Sequence, residues 1–428
     1  MWKQTLSLLC AITFLFTTLT SCGSAAEHRS VTLAWATDLH LNGLYLQPAA
    51  NGLEKEEAYS EDGRVVSYDI DLLHAFVDQL VSEQPDYLIL TGDLGDYGYI
   101  SEFNTLAELL AEIEDGGVQV LVLPGNHDLY GDWQDPETGE PYDKEAENPI
   151  LFREQFAAFG PDQAIAQDET SLSYVYELNS KLRILMLDAD SCPSVEVEDE
   201  NYPGCFYYEY QLPLDWIEEQ LRKAQEDGVQ MIAASHENLL VHNSAYDEYC
   251  LPQSGELLAL YEEYGVLFNI SGHMHIQHIQ QSANGFTELL QSPLSLYPCR
   301  YGTITLTEDS MTYETESVDV ESWAEGEGLT DENLLNFSTY ALGIMDEVFT
   351  GWCYDDDSVK LNSDDTAMAD YLTSAQEHFF MGRMDTFEWD EELTNAWMDI
   401  SPDYRGPYLQ SLRQEVGKNY ESYRMTIG

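Results

Sequence analysis

The chain of 428 residues is 44% hydrophobic, which is enough to bury one large core and an appended module. Its 79 acidic and 17 basic residues give a formal net charge of -62, which repels nucleic acid polymers and anionic membrane surfaces and excludes both as partners. A small anion can still enter a cleft that contains metal ions, because the ions are the largest charges there.

Residues 1–21 predict a lipoprotein signal peptide. Lys3 supplies a positive charge, and the apolar stretch 6–19 is too short to span a bilayer comfortably. The stretch ends in Leu19-Thr20-Ser21-Cys22, which resembles a bacterial lipobox and would leave Cys22 as a lipidated N-terminus. The alternative is an ordinary secretion signal that is cleaved near Ala25-Ala26. Both predict an exported protein, and the first predicts a lipid anchor on the extracytoplasmic face of a bacterial membrane.

The cysteines after Cys22 leave their pairing open. Five remain, an odd number, so they cannot all pair with one another, and no C-x-x-C unit suggests a zinc knuckle. Cys192 and Cys205 flank a segment rich in Pro, Glu and Tyr and are candidates for a loop disulfide. The alternative is that all five are buried or free thiols.

Six short apolar runs predict the strands of an α/β core. They are rich in Val, Ile, Leu and aromatic residues and mostly lack polar alternation, as strands covered on both faces do. Amphipathic segments of helical length lie between several of them, at 69–82, 102–114 and 214–226. This alternation predicts largely parallel strand pairing. The runs are 31–37, 87–91, 118–123, 182–187, 230–234 and 266–270.

The pattern changes beyond residue 286. Shorter segments with Thr and Tyr, ending in 301–306 and 311–314, predict antiparallel strands of a second sheet. The acidic, Gly-containing stretch 318–329 predicts a linker. Apolar residues then recur at helical spacing from Leu334 to Val348, and three further segments predict a helical C-terminal module. These segments are 367–380, 391–398 and 408–420.

Five of the six runs are followed at once by residues that can bind metals. In open α/β sheets the loops beyond the carboxyl ends of the strands converge in one crevice, so we expect these side chains to meet. Two carboxylates, one amide and four imidazoles are enough for two divalent metal ions about 3.5–4 Å apart. Imidazole with carboxylate suits Mn, Fe or Zn, and the sequence does not choose among them. The candidate ligands are Asp38, His40, Asp93, Asn126, His236, His273 and His275.

Each motif has a structural alternative when it is taken alone. An isolated His such as His40 is more often a satisfied structural residue, and an Asp after a strand, such as Asp93, often caps the next helix. The sixth run ends in Asp188-Ala189-Asp190, which we interpret as turn residues. Five motifs in order, all at strand ends, favour the metal site.

The motifs resemble those of the calcineurin-like metallophosphoesterase superfamily over roughly residues 31–310. They are Asp38-Leu39-His40, Gly92-Asp93, Gly125-Asn126-His127-Asp128, Ser235-His236 and Gly272-His273-Met274-His275. The resemblance implies an α/β fold in which a two-sheet sandwich is flanked by helices. It implies a catalytic domain at 30–318, followed here by a helical C-terminal domain at 330–428.

The resemblance also implies a role for each site residue. Asp38, His40, Asp93 and His275 would surround one ion, and Asp93, Asn126, His236 and His273 the other. His127 would face the substrate and protonate the leaving oxygen. Asp96 fills the place of the carboxylate that orients such a His, and the alternative for Asp96 is a solvent-exposed turn residue. Many relatives carry a second His where this chain has Glu237, for which we expect no role.

The expected reaction is in-line hydrolysis of a small phosphodiester by a metal-bridging hydroxide, with a cyclic nucleotide as the candidate substrate. Tyr97 follows Asp96 where phosphoprotein phosphatases have Arg, which argues against that class. The predicted export, lipidation and helical module resemble bacterial extracytoplasmic phosphodiesterases related to class III cyclic-nucleotide phosphodiesterases. The tyrosines of 207–210 and 246–249 could stack a base or simply pack.

Two alternatives remain open. A phosphomonoesterase or nucleotidase would use the same metals but needs more cationic partners for its doubly charged substrate. A non-catalytic, surface-binding lipoprotein would be favoured by loss of a ligand, and no ligand is missing. The sequence identifies no protein partner.

Overall fold

A computed structural model describes residues 30–43, 46, 60, 62–129, 144–198, 206–246, 249–354, 361 and 366–427. The predicted signal peptide and Cys22 lie outside these residues. The strands are β1 Val31–Ala36, β2 Tyr87–Thr91, β3 Gln119–Leu123, β4 Ala166–Gln167, β5 Tyr174–Asn179, β6 Leu182–Leu187, β7 Ser194–Glu198, β8 Phe206–Tyr210, β9 Gln230–Ser235, β10 Phe268–Ser271, β11 His278–Gln281, β12 Thr287–Leu290, β13 Arg300–Leu306, β14 Ser310–Ser317 and β15 Ser422–Thr426. The helices are α1 Asp69–Glu83, α2 Ile100–Asp115, α3 Asn126–Leu129, α4 Lys144–Phe156, α5 Leu214–Asp227, α6 Ser254–Tyr264, α7 Val320–Glu327, α8 Phe337–Trp352, α9 Thr366–Phe380, α10 Glu391–Ile400 and α11 Arg405–Ser411.

Two large mixed sheets form the centre of the fold. The first has the order β15-β14-β13-β1-β2-β3, and the second has the order β11-β12-β10-β9-β6-β5-β4. All six predicted buried strands are present, and they pair in parallel as β1-β2-β3 and β6-β9-β10. The predicted strands 301–306 and 311–314 form β13 and β14, which pair antiparallel in the first sheet.

Apolar side chains from both sheets fill the space between them. Their strands are continuous apolar runs because each strand is covered on both faces, by the other sheet and by helices. α1 and α2 cover the outer face of the first sheet, and α5 and α6 cover that of the second. The result is the predicted sandwich of two sheets flanked by helices. Residues between the sheets include Trp35, Ile89, Leu121, Ile184, Ile232 and Ile270.

The prediction of a linker at 318–329 is wrong, because most of this stretch forms helix α7. The Asp319 side chain accepts a hydrogen bond from the Ser322 amide at 3.0 Å, which satisfies a free amide of the first turn. Val320 and Ala324 are fully buried. The acidic residues of α7 lie on its more exposed side, which explains why the composition resembles that of a linker. The opposite face of the helix packs in the core.

The C-terminal helices pack on one end of the second sheet. Phe379 of α9, Trp397 of α10 and Leu409 of α11 share a core with Ile276 and Leu290. The predicted helices 367–380 and 391–398 are confirmed as α9 and α10.

The last predicted helix, 408–420, differs from the structure. α11 continues only as a 3-10 turn, Leu412–Glu415, and the chain then returns as β15. β15 pairs antiparallel with β14, so the C-terminus completes the first sheet. No helix among the described residues is long and apolar enough to cross a bilayer.

The described cysteines favour the thiol alternative. Cys192, Cys299 and Cys353 are buried free thiols. Burial raises the pKa of Cys299 and Cys353, so both stay protonated and unreactive. Cys205, the proposed partner of Cys192, lies outside the described residues.

Candidate metal centre

The candidate ligands meet where the carboxyl ends of five strands converge. Asp38 lies just beyond β1, Asp93 beyond β2 and Asn126 beyond β3, while His236 and His273 follow β9 and β10. Main-chain hydrogen bonds tie these loops together. The Asp38 amide donates to the Gly92 carbonyl at 3.0 Å, and the Gly272 amide donates to the His236 carbonyl at 3.0 Å. Both sheets therefore contribute to one site.

The first group of ligand atoms belongs to Asp38, His40, Asp93 and His275, and these atoms lie within 4.8 Å of one another. Nε2 of His275 is 3.2 Å from Oδ1 of Asp38 and 3.2 Å from Nε2 of His40. Nε2 of His40 is 3.6 Å from Oδ2 of Asp93. Two imidazole nitrogens and two carboxylates therefore point at one centre.

The second group contains Asp93, His236 and His273, again with ligand atoms within 4.8 Å of one another. Nε2 of His236 is 3.2 Å from Oδ2 of Asp93 and 3.2 Å from Oδ1 of Asn126. Asp93 belongs to both groups, as a bridging carboxylate would. The structure thus brings all seven predicted ligands together in the predicted two sets.

Several of these residues have a backbone conformation that is rare outside glycine. Eight non-glycine residues of the described part have positive φ, and five of them are candidate ligands. Such a conformation costs of order 1–3 kcal/mol and clusters at functional sites. We infer that the loops give up local stability to aim these side chains inward. The five are Asp38 (50°), His40 (47°), Asp93 (49°), His273 (69°) and His275 (57°).

Glycine serves this site by close approach. A Cβ atom on Gly272 would overlap the Thr37 hydroxyl and the Asp38 carboxylate. The turn that brings both neighbouring imidazoles inward is made by His273 and His275, which are themselves in the left-handed conformation. At Gly92, which has φ of 96°, a Cβ would lie 2.6 Å from Nδ1 of His236.

Oxygen atoms lie next to Nδ1 of three candidate imidazole ligands, on the side of each ring that faces away from the centre. Nδ1 of His236 donates to the Thr91 carbonyl at 2.8 Å. Nδ1 of His275 lies 2.8 Å from Oδ2 of Asp62. Nδ1 of His40 lies 3.3 Å from Oδ1 of Asp96, which is within ion-pair distance but lacks the geometry of a hydrogen bond. The contacts of His236 and His275 orient both rings so that Nε2 faces the centre, as a metal ligand requires.

Arg64 connects two of these acceptors. Its Nε donates to Asp62 at 2.8 Å, and its Nη1 donates to Asp96 at 3.3 Å. Arg64 and Asp96 are each 7% exposed, so this network is desolvated. Asp62 and Arg64 were not found from the sequence, because they lie in an irregular segment before α1 and belong to no motif.

His127 lies beside the ligands, and its contact with Asp96 differs from the prediction. Nδ1 of His127 donates to the main-chain carbonyl of Asp96 at 2.8 Å, while the Asp96 carboxylate faces His40, Arg64 and Asn42. The residue that orients His127 is the predicted one, but it acts through its backbone. The amide of His127 donates to Oδ1 of Asp93 at 2.8 Å, which fixes the ring near the centre.

The electrostatics of the site favour deprotonated oxygen ligands. Burial alone would raise the pKa of Asp38, but hydrogen bonds from His275 and His40 hold it well below its ordinary value. Burial opposes charge on His275 as well, and the carboxylates of Asp38 and Asp62 raise its pKa to about 9. Burial lowers the pKa of His273 to about 3. In the absence of cations, protons on His236 and His275, whose pKa values are raised by the carboxylates, therefore balance Asp38 and Asp93.

The donor set fits two divalent cations. The carboxylates, the amide oxygen and the four imidazoles are ligands that such ions accept. A shared carboxylate between two groups of converging atoms is the arrangement of a binuclear site, in which the ions are about 3.5–4 Å apart.

Other polar residues of the sequence motifs lie outside this set. Asp188 caps its own loop, accepting from the amides of Leu172, Asp190 and Ser191 at 2.7–3.1 Å, as the turn interpretation predicts. Asp190 is buried and Glu237 is half-buried, and burial together with repulsion from Glu237 raises the pKa of Asp190 well above its ordinary value. Burial raises that of Glu237 to about 7.

A cleft of about 540 Å³ opens on the metal centre. One side is formed by Asp62, Asp93, Asn126, His127, His273 and His275. The opposite side comes from the C-terminal helices, with Trp352, Gln376, Phe380, Tyr404, Arg405 and Tyr408. The region that follows the sandwich is thus part of the site.

Several known proteins are similar to this chain. A 3′,5′-cyclic-nucleotide phosphodiesterase of Nostoc sp. (strain PCC 7120) is 23% identical over 275 residues, which are 63% of this chain and 80% of that protein. Among solved structures, a dimetal phosphatase from Danio rerio is 17% identical with a TM-score of 0.45, covering 67% of this chain and 96% of that one. Purple acid phosphatase from yellow lupin seeds is 14% identical with a TM-score of 0.42, covering 68% and 52%. The model of the calcineurin-like phosphoesterase family matches residues 31–277, more than half of the chain and every strand that precedes a candidate ligand, and the chain therefore belongs to that family.

Proposed function

We propose that the protein hydrolyses a small phosphodiester, with a cyclic nucleotide as the candidate substrate, and needs two divalent metal ions of Mn, Fe or Zn. The observation that carries the proposal is the convergence of seven ligand side chains, with Asp93 common to both groups, at the floor of a cleft. The Nostoc relative is a 3′,5′-cyclic-nucleotide phosphodiesterase, and this similarity supports the diester substrate.

The residues divide into two ligand sets and one proton carrier. Two cations held by these sets would lower the pKa of a bound water and neutralise charge on the phosphoryl oxygens. Because Nδ1 of His127 donates to Asp96, Nε2 is the atom that can exchange a proton with the leaving oxygen. Burial lowers the pKa of His127, so the ring is neutral at neutral pH and releases a proton readily once it has gained one.

The charges around the cleft favour a diester over a monoester. A monoester brings a second negative charge and needs further cationic partners. Arg64 is already paired with Asp62 and Asp96. Among the described residues, Arg405 is the one Arg or Lys side chain that lines the cleft, and its Nη2 donates to the Trp352 carbonyl.

Turnover of bis-p-nitrophenyl phosphate against p-nitrophenyl phosphate tests this proposal, using protein loaded with Mn²⁺. We expect a higher kcat/KM for the diester, and loss of activity in Asp93→Asn, which removes the shared carboxylate charge. A faster monoester rate would replace the proposal by a phosphomonoesterase or nucleotidase. If metal-loaded protein hydrolyses neither compound, the proposed enzymatic activity is wrong, and a non-catalytic binding protein replaces it.

We further propose that the protein is exported and anchored by a lipid on Cys22. The support is the lipobox-like Leu19-Thr20-Ser21-Cys22 after a short apolar stretch. The full chain expressed in a bacterium should partition into detergent, and Cys22→Ser should move it to the aqueous phase. Equal partitioning of both forms would contradict the anchor.

A further inference from the structure

One side of the cleft has no role in the proposed chemistry. We call it the wall, and it is formed by Trp352, Gln376, Phe380, Tyr404, Arg405 and Tyr408. The volume of about 540 Å³ lies within the roughly 300–1,000 Å³ of sites that bind small organic molecules. His127 and His273 lie on the metal side, and Gln376 of α9 and Tyr408 of α11 lie on the other. A substrate whose phosphate is at the metal centre would therefore extend its organic part toward these helices.

Aromatic rings connect the metal centre with this wall. The Tyr249 ring centroid is 5.4 Å from that of His273, Tyr246 is 5.9 Å from Tyr249, and Tyr408 is 5.8 Å from Tyr246. Tyr249 is 42% exposed, so part of its ring is open to a ligand. Adjacent aromatic faces of this kind bind planar rings by stacking.

Two buried polar atoms in the wall have no hydrogen-bond partner among the described residues. They are Oη of Tyr408 and Oε1 of Gln376, in residues that are 6% and 7% exposed. An unpaired buried group of this kind costs roughly 1–3 kcal/mol, and in a ligand cleft it indicates a ligand that supplies the partner. Burial raises the pKa of Tyr408, so its hydroxyl keeps its proton and can donate, while Oε1 of Gln376 accepts.

We propose that this wall binds the nucleobase of a nucleotide whose phosphodiester lies at the metal centre, an inference that rests on the proposed function. Tyr246 and Tyr249 stack against the base, Tyr408 donates to a ring nitrogen or carbonyl, and Gln376 accepts from an amino group or ring N–H. A nucleobase combines a planar ring with both kinds of polar group on its edge. A diester of a simple alcohol has neither.

The test compares adenosine and guanosine 3′,5′-cyclic phosphates with glycerol 1,2-cyclic phosphate, a cyclic diester without a base. Tyr408→Phe and Gln376→Leu each remove one polar group. We expect each to lower kcat/KM for the cyclic nucleotides, relative to the base-free diester, by roughly 3- to 10-fold, the effect of one neutral hydrogen bond. Tyr261→Phe is the matched control, because it removes an unpartnered buried hydroxyl from a different core cluster and should keep this ratio.

Binding of adenosine provides a measurement that needs neither metal nor turnover. Trp352 lines the cleft, so adenosine titrated into metal-free protein should change the tryptophan fluorescence, and Tyr408→Phe should weaken that binding. Adenosine binding without hydrolysis of any diester supports the base site and overturns the proposed function. If all cyclic diesters are hydrolysed and neither substitution changes the ratio, the base site is overturned while the phosphodiesterase stands.

Discussion

At the scale of single residues, the candidate ligands depend on charged side chains that are not themselves ligands. Asp62 lies 2.8 Å from Nδ1 of His275, Asp96 lies 3.3 Å from Nδ1 of His40, and Arg64 bridges the two carboxylates. Partners of this type fix the ring orientation of metal-bound His. The buried guanidinium also offsets the repulsion between these two carboxylates near the site.

Replacing Arg64 therefore should weaken metal binding without removing a ligand. For Arg64→Ala we expect an affinity for Mn²⁺ or Zn²⁺ about 10- to 100-fold lower, the range for loss of such a partner, measured by competition with a chromogenic chelator. Arg183→Ala is the control, since Arg183 of β6 pairs with Asp227 at the end of α5. Equal affinities in both variants would contradict a positioning role for Arg64.

His127 should behave as a proton carrier and not as a ligand. In His127→Ala we expect kcat to fall by roughly 10²- to 10⁴-fold, the usual contribution of a positioned acid or base, with the metal content unchanged. His275→Ala should lose metal, because His275 lies 3.2 Å from Asp38 within the first group. Metal analysis of both purified variants distinguishes the roles, and metal loss in His127→Ala would make it a ligand.

Metal binding should strengthen as the pH rises. In metal-free protein, the carboxylates of Asp38 and Asp62 overcome burial and raise the pKa of His275 to about 9, so the ring is protonated below that pH. A cation must displace this proton, and the apparent affinity should increase up to about tenfold per pH unit between pH 6.5 and 9. Titration calorimetry in two buffers of different ionisation enthalpy measures the proton release. A release of zero at pH 7 would contradict this protonation state.

At the scale of secondary structure elements, α7 shows how composition can mislead. Segment 320–327 contains acidic residues and a Gly, which is typical of a linker, but Val320 and Ala324 lie four positions apart and share one buried face. Burial of that face against α1 and α8 supplies the stability that the sequence composition does not indicate.

The N-cap of α7 provides a test of this element. Asp319→Ala removes the hydrogen bond to the Ser322 amide and should lower the free energy of unfolding by roughly 0.5–2 kcal/mol. Asp319→Asn keeps a capping oxygen and should cost less. Urea unfolding of the three proteins measures the difference, and a flexible linker would show no change in either variant.

At the scale of the whole molecule, a buried polar chain joins the sandwich to the C-terminal region. Glu288 of β12 accepts from His242 at 3.2 Å, the two Nδ1 atoms of His242 and His278 are 3.0 Å apart, and His278 lies 3.0 Å from Glu415. All four side chains are at most 4% exposed. The helices that form the far wall of the cleft are therefore fixed by polar contacts as well as by their apolar core.

Removing one member of this series of buried polar contacts should lower the free energy of unfolding. His278→Phe leaves Glu415 without its imidazole partner, and we expect a loss of about 3 kcal/mol in the free energy of unfolding. Tyr420→Phe, which removes only the hydroxyl that donates to Glu415, should cost about 1 kcal/mol. Hydrogen exchange should be faster in α9 and α11 of His278→Phe. Equal stability of the two variants would show that the junction depends on apolar packing alone.

Much of the fold could be predicted because its causes are local. The core strands are continuous apolar runs, and α1 and α5 repeat apolar residues at helical spacing. The positions of apolar residues in the sequence were therefore enough to predict these elements. β15 could not be predicted in this way, because a short edge strand with alternating exposure is stabilised by pairing with β14, far away in sequence.

The sequence by itself determined the family motifs, their place at strand ends and the chemistry of their side chains, since each is a property of neighbouring residues. Only the tertiary structure decided that His127 contacts the main-chain carbonyl of Asp96 and that Asp62 and Arg64 support the ligands. It also decided that α9 and α11 lie across a cleft from the candidate metal centre. These are contacts between segments far apart along the chain, and chain folding, not local pattern, sets which of them come together.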